Sequence, residues 1–325
     1  MTAPANLLIP STDPESRRRA KRSRKRRHTA RRNALYQLKY MCRDFLYNTP
    51  SRRLFRSHRP ALSQAQQKVA GDLAARGIGL VHFNDLFGEP DLWNELKRSM
   101  AAFVNSEMVA EGVRQHRADT SKGKEAYKGY LVRAYYENAI LTLDNPWLRL
   151  GLDERIINIA NAYLGLWTKL NYADVWYTIP SGDERPATFS QKWHRDPEDK
   201  RMVKVFLYFS DVDESAGPLQ YVPGSSRSRG VYRHVWPNRF ERYPPEQEFE
   251  ARFPPSQQFT CTGAAGTFVF CDTSGFHRGG YATGRPRIMA AWTYVTPASP
   301  DPRRFEVDGS PGRSELSELA KYALS

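Results

Sequence analysis

Two separated segments constrain this 325-residue chain more than anything else in it. One is Trp193-His194-Arg195-Asp196. The other is Gly266-Thr267-Phe268-Val269-Phe270, followed by His277 and by Arg285-Pro286-Arg287. Together they supply two imidazoles and one carboxylate, with Arg287 ten residues past the second imidazole. Two His and one carboxylate on one face of a divalent metal is the donor set of non-haem Fe(II) oxygenases, and it leaves the opposite face open. A fold that uses it must bring two distant stretches of chain to one point.

His-x-Asp alone is a weak signal, and ordinary polar residues at strand ends would look the same. Its surroundings strengthen it. Leu170 to Thr178 is rich in aromatic and β-branched residues and reads as a strand. Met202 to Phe209 is nearly all apolar and reads as a buried one. A turn at Ala216-Gly217-Pro218 leads to a short strand and then to Pro223-Gly224-Ser225-Ser226. Gly266 marks the start of the strand before His277, and Arg287 to Val295 reads as the strand after it. His-Arg-Asp also spells part of a protein-kinase catalytic loop, but Pro197 follows it, and no Asp-Phe-Gly or Gly-x-Gly-x-x-Gly occurs.

From about Leu73 to Pro297 the chain resembles the phytanoyl-CoA dioxygenase family of Fe(II)/2-oxoglutarate oxygenases. The resemblance rests on the opening Leu73 to Val81, on His194-x-Asp196, on Asp213 to Ser226 ending in Pro-Gly-Ser, and on His277 with Arg287. It departs at Ser226, where the family often has His, and at Tyr281-Ala282, where it often has Asn. The implied fold is α+β, mainly β: a double-stranded β-helix, a cupin-like jelly-roll barrel. Helices ahead of the strands would form an outer layer, and a basic N-terminal arm would precede them.

The resemblance implies Fe(II) held by His194, Asp196 and His277, with 2-oxoglutarate as co-substrate and dioxygen as oxidant. The far carboxylate of 2-oxoglutarate then needs a cation, and arginine suits a carboxylate best. Arg287 is the first choice and Arg285 the second. Lys204 and Tyr208 are further cofactor-binding candidates, and Asn171, Asp174, Trp176, Lys128 and Tyr130 are candidates for the pocket wall. Related halogenases replace the carboxylate by a small residue, so Asp196 favours hydroxylation, demethylation or desaturation. The expected function is hydroxylation of a small-molecule metabolite, with release of succinate and carbon dioxide. Two alternatives stay open: a non-catalytic cupin-like binding protein, and an oxygenase acting on a nucleic acid or another macromolecule tethered by the arm.

The net charge of +14 belongs to that arm. The first 60 residues hold 17 Lys and Arg against three acids, and the rest of the chain is formally neutral. Nine of the eleven residues from Arg17 to Arg27 are basic, a block expected to be disordered by itself. Leu35, Leu38, Cys42 and Phe45 then recur at helical spacing, which predicts an amphipathic basic helix over Arg31 to Tyr47. The arm, residues 1–60, can dock on the body, touch an anionic membrane surface or bind nucleic acid. The oxygenase domain is expected over residues 61–325.

Leu7-Leu8-Ile9 is too short for a signal-peptide core, and no apolar run is long enough to span a bilayer. The expected location is cytoplasmic, with a peripheral membrane contact as an option. The three cysteines, Cys42, Cys261 and Cys271, fit no metal or disulfide spacing. Ser63 with Gln66 predicts a capped helix that Gly77 stops. Further helices are expected over Asp91 to Met108, from Asp153, and over Ser314 to Leu324. Asp119 to Lys128 reads as a polar loop. The long stretch from Ser226 to Cys261, with Trp236 and Phe249, reads as either a lid or a structural wrap.

Overall fold

The computed structural model describes residues 37–118, 129–135, 139–182, 186–236, 243–308 and 313–325, together with His28, Arg31, Arg32, Ala34 and Leu35. Lys128, the loop 119–128 and the block 17–27 lie outside the described residues.

Strands β1 (Ile78–His82), β2 (Leu131–Arg133), β4 (Lys169–Thr178), β5 (Met202–Tyr208), β8 (Thr267–Cys271) and β10 (Arg287–Val295) form an antiparallel sheet in the order β1-β8-β5-β10-β4-β2. A second antiparallel sheet has the order β7-β6-β9, from Phe259–Cys261, Leu219–Tyr221 and His277–Arg278. A small parallel pair, β3 (Ala139–Leu141) with β11 (Phe305–Val307), lies apart. The two antiparallel sheets pack face to face as a jelly-roll. Phe206, Tyr208, Val269 and Met289 of the large sheet meet Leu219, Tyr221 and Cys261 of the small one.

Side-chain alternation explains both faces of the large sheet. Val203, Val205 and Leu207 of β5, with Ala290, Trp292 and Tyr294 of β10, point outward into the main core. There they meet Val69 and Leu73, Trp147 and Leu148, Ile156, Ile157 and Ala160, and Leu319 and Ala323 from the helical layer. The intervening residues Lys204, Phe206 and Tyr208, with Arg287 and Met289, face the barrel interior and line its cavity. Parity therefore divides each strand into a packing face and a site face.

The capped helix is present as Gln64–Arg76, with both arms of the Ser63/Gln66 capping box formed. Gly77 ends it at φ 83, where a Cβ would also lie 2.2 Å from Tyr221 Oη, so both conformation and space require glycine. The single helix expected over Asp91 to Met108 is two, Pro90–Val104 and Glu107–Ala118. Ser106 makes the break: its Oγ and carbonyl accept from Val109 N and so cap the second helix. Pro146–Gly151 is a helix that the periodicity did not reveal, although Asn145 caps it through Trp147 N and Leu148 N with Pro146 at its start. The C-terminal helix is shorter than expected, Glu318–Leu324.

The N-terminal segment meets the body through its polar side. Residues 37–43 are α-helical and continue through a π-turn, Asp44–Asn48, into the helix Thr49–Ser57. The side that meets the body carries Tyr40, Asn48 and Ser51, all buried, whereas Leu35, Leu38 and Phe45 are exposed. Among the described residues no helix is long and apolar enough to cross a membrane.

Candidate metal centre

His194 lies in the loop before β5, and His277 opens β9. An isolated two-residue bridge joins them: each backbone N–H donates to the other's carbonyl at 3.0 Å. Asp196 N donates to Thr273 O at 2.9 Å, which fixes the carboxylate beside the pair. The ring centroids of His194 and His277 are 4.2 Å apart. Each Nε2 lies 3.5 Å from an oxygen of Asp196, and the three donor atoms all fall within 4.8 Å of one another.

The tautomers follow from the hydrogen bonds. His194 Nδ1 faces Lys192 O at 2.8 Å and His277 Nδ1 faces Gly275 O at 3.0 Å. A carbonyl only accepts, so each Nδ1 carries the proton and each Nε2 lone pair is left for a metal. Burial, then the neighbouring His194, pushes His277 down to about 3, against the pull of Asp196. Burial alone would raise the Asp196 carboxyl. The Lys204 ammonium and then His277 reverse this and hold it well below the ordinary carboxylate range.

A cavity of about 170 Å³ opens at this cluster. Its lining includes Arg287, Tyr208, Tyr130, Ser190 and Thr178, and also Arg133, Tyr172, Trp176, Lys204, Phe206, Glu198 and Arg304. Arg287, the first residue of β10, is 4% exposed, and its Nε has no partner among the described residues. No carboxylate pairs with it there either. Burial lowers its pKa, and the Tyr208 and Tyr130 hydroxyls partly counter that. Gly279 and Gly280 leave the guanidinium approachable: a Cβ on either would stand 3.3 or 3.2 Å from its terminal nitrogens.

The other expected residues divide clearly. Lys204 Nζ donates to Asp196 Oδ2 at 2.6 Å, so it sits at the metal cluster. Tyr208 lines the cavity, and its hydroxyl donates to Cys261 O at 2.9 Å. Trp176 and Tyr130 are also on the wall. Arg285 is not: its side chain is 65% exposed and pairs with Asp213 on the surface. Asn171 turns away to the carbonyls of Asp301 and Pro302. Asp174 is fully buried beneath Arg133, whose Nε donates to it at 2.8 Å, and it also accepts from Tyr172 and Tyr135 N.

Sequence reading missed Ser190, Arg133, Glu198 and Arg304. Ser190 sits in a short turn capped by Thr188 and Gln191, and its hydroxyl is 2.6 Å from that of Tyr130. Glu198, two residues past Asp196, pairs with Arg304 at 3.0 Å while its Oε2 has no partner among the described residues. Proximity to the His-x-Asp motif was the one available signal for it.

The described part of the Ser226–Cys261 stretch packs as a wrap. Phe249, Phe253 and Trp236 pack with Trp193 and Phe276, which flank the two histidines in sequence, and Phe249 stacks on Trp193. Arg195 ties it down by donating to the carbonyls of Ser225, Tyr232 and Val235. Tyr243 approaches the metal cluster, its ring 6.1 Å from that of His194. Ser226, where the family often has His, donates to buried Asp272 at 2.6 Å, and Ser225 Oγ accepts from Phe276 N. Both serines brace the turn that delivers His277.

Among solved structures the chain is similar to EctD from S. alaskensis with bound Fe, at 17% identity and a TM-score of 0.50, over 78% of this chain and 84% of that one. It is also similar to the non-haem α-ketoglutarate-dependent epimerase SnoN from nogalamycin biosynthesis, at 18% identity and a TM-score of 0.47, over 71% and 83%. Likeness at such identities concerns the fold. No curated protein is a significant sequence match. The profile of the phytanoyl-CoA dioxygenase (PhyH) family matches residues 79–289, which takes in His194, Asp196, His277 and Arg287. On that match, spanning well over half its length, the chain belongs to the phytanoyl-CoA dioxygenase family, a family of Fe(II)- and 2-oxoglutarate-dependent oxygenases.

Proposed function

We propose that this protein is an Fe(II)- and 2-oxoglutarate-dependent dioxygenase that hydroxylates a small-molecule substrate. One observation carries the reading. A single cavity joins a buried His-Asp-His cluster to a buried guanidinium that has no carboxylate of its own among the described residues.

The residues fit both groups. His194 and His277 offer Nε2 lone pairs, and Asp196 offers an ionised oxygen, which suits a divalent metal with open positions. Arg287, with Nε unpartnered and Tyr130 and Ser190 beside it, suits the distal carboxylate of 2-oxoglutarate as a charge-assisted pair. Iron held there would supply dioxygen activation, coupled to oxidative decarboxylation of 2-oxoglutarate and hydroxylation of the substrate.

The chain's own groups do the positioning. Backbone carbonyls at Lys192 and Gly275 fix the imidazole tautomers, and Lys204 holds the second oxygen of Asp196. Trp176, Phe206 and Met289 supply apolar lining. Arg133, Glu198 and Arg304 add polar groups that would hold a substrate's functional groups. The cavity of about 170 Å³ has room for a small organic group beside the metal ligands.

The test is uncoupled turnover. Protein loaded anaerobically with Fe(II) is given 2-oxoglutarate and air, and succinate is measured; metabolites are then screened for stimulation. Succinate from the native protein and none from His277→Ala is the expected result. A protein that binds iron yet makes no succinate with any candidate would be a binding protein instead.

A further inference from the structure

The N-terminal helix presents an apolar face to solvent while its polar face is fastened to the body. Tyr40 Oη donates to Asp199 Oδ1 at 3.1 Å. Arg43 donates to the carbonyls of Ala298 and Ser299, Asn48 Oδ1 accepts from Ala298 N, and Ser51 Oγ donates to Trp167 O. Exposed on this segment are Leu35, Leu38, Met41, Phe45, Leu46 and Tyr47, between 51% and 72%, with the Tyr47 ring under the Arg43 guanidinium. They are six of the nine exposed large apolar side chains among the described residues, so the exposure belongs to this segment and not to the surface at large.

We propose that this face docks on an anionic lipid surface. Charge selects the occupant. The first 60 residues carry 17 Lys and Arg against three acids, and Arg31, Arg32 and Lys39 are exposed beside the apolar stripe. A second copy seated on the stripe would bring two such arms together and be repelled. A nucleic acid would satisfy the cations and leave six apolar side chains in water. The headgroup region of an anionic bilayer takes both, the stripe below and the cations at the phosphate level. The docked helix is bonded to the loop that carries Asp196, through Asp199 and through Ser299, whose Oγ donates to Glu198 O. Membrane seating would therefore hold the metal-bearing loop close to the lipid, independently of what the metal does.

The experiment uses the full chain. Cosedimentation is measured with phosphatidylcholine vesicles, with mixed phosphatidylcholine–phosphatidylserine vesicles, and with a duplex oligonucleotide at matched salt. Cys42 is exposed while Cys261 and Cys271 are buried, so a solvatochromic dye on Cys42 reports insertion. The expected result is salt-sensitive binding to the mixed vesicles, with a blue shift of the dye. The double substitution Leu38→Asp/Phe45→Asp should weaken that binding about tenfold or more, since two apolar side chains no longer enter the interface. Iron content and the far-ultraviolet spectrum should stay unchanged. Undiminished vesicle binding by the double variant overturns the proposal. So does tighter binding to the oligonucleotide than to vesicles, or a dimer that the substitution dissolves.

Discussion

Lys204 Nζ lies 2.6 Å from Asp196 Oδ2, so the one carboxylate of the metal cluster already has a counter-ion in the protein itself. Both side chains are largely buried, 12% and 10% exposed. Burial would lower the Lys204 pKa, but Asp196 and then Glu198 raise it above its usual value. In the metal-free protein the ammonium is what makes a buried carboxylate tolerable; a divalent metal would take over that task. Lys204→Met should therefore destabilise the metal-free protein by about 3–5 kcal/mol, the range for breaking a buried pair, and the metal-loaded protein by less. Urea unfolding with chelator and with Fe(II) measures both. Equal losses in the two states would show that Lys204 does not act through Asp196.

The ligand assignment has a sharper test. Each histidine presents Nε2 to the same point because its Nδ1 is committed to a backbone carbonyl. Replacing either ring by Ala removes one of three donors from a site whose remaining positions are meant for co-substrate and oxidant. His194→Ala and His277→Ala should each lose iron and succinate production together. Full iron occupancy in both variants, measured by elemental analysis, would refute the assignment.

Arg287 and Arg285 are separated by one proline and by their surroundings. Arg287 is buried at the start of β10 with Nε unpartnered among the described residues, whereas Arg285 is exposed and paired with Asp213. Removing the buried cation leaves an incoming carboxylate uncompensated, at about 3–5 kcal/mol, or a rise in the 2-oxoglutarate requirement of roughly a hundredfold or more. Arg287→Ala should show that rise with iron retained, and Arg285→Ala should match the native protein. The opposite pattern would move the role to Arg285.

Much of this site was legible in the sequence because strands alternate. Once β5 and β10 are read as strands, Lys204 and Tyr208 fall on one face with Arg287 and Met289 opposite the packing residues Val205 and Trp292. Alternation fails where a distant residue intervenes. Asp174 has the parity of Tyr172 and Trp176, yet Arg133, brought in from β2, covers it. Glu198 and Arg304 meet across a separation no local pattern encodes. The N-terminal helix shows another limit of local pattern. Periodicity located its apolar stripe, but hydrogen bonds from Tyr40, Arg43 and Ser51 decide which side meets the body.

The pH dependence follows from His277. Its pKa falls from an ordinary 6.5 to about 3, through burial first and the adjacent His194 second. Above about pH 6.5 the imidazole is neutral in the folded and unfolded chains alike, and this group adds no pH dependence. As pH falls from there toward 3, the unfolded chain binds a proton that the folded one refuses, so stability is lost with acid. Below about 3 the contribution levels off. Asp196, held below its usual value, adds loss in the same direction at the acid end. A metal needs the neutral ring, so loading near pH 7 requires no proton to leave His277. The urea midpoint of the metal-free protein should fall steadily from about pH 6.5 to about 4, and His277→Gln, which cannot take up the proton, should flatten that slope. An unchanged slope in His277→Gln would place the acid sensitivity elsewhere.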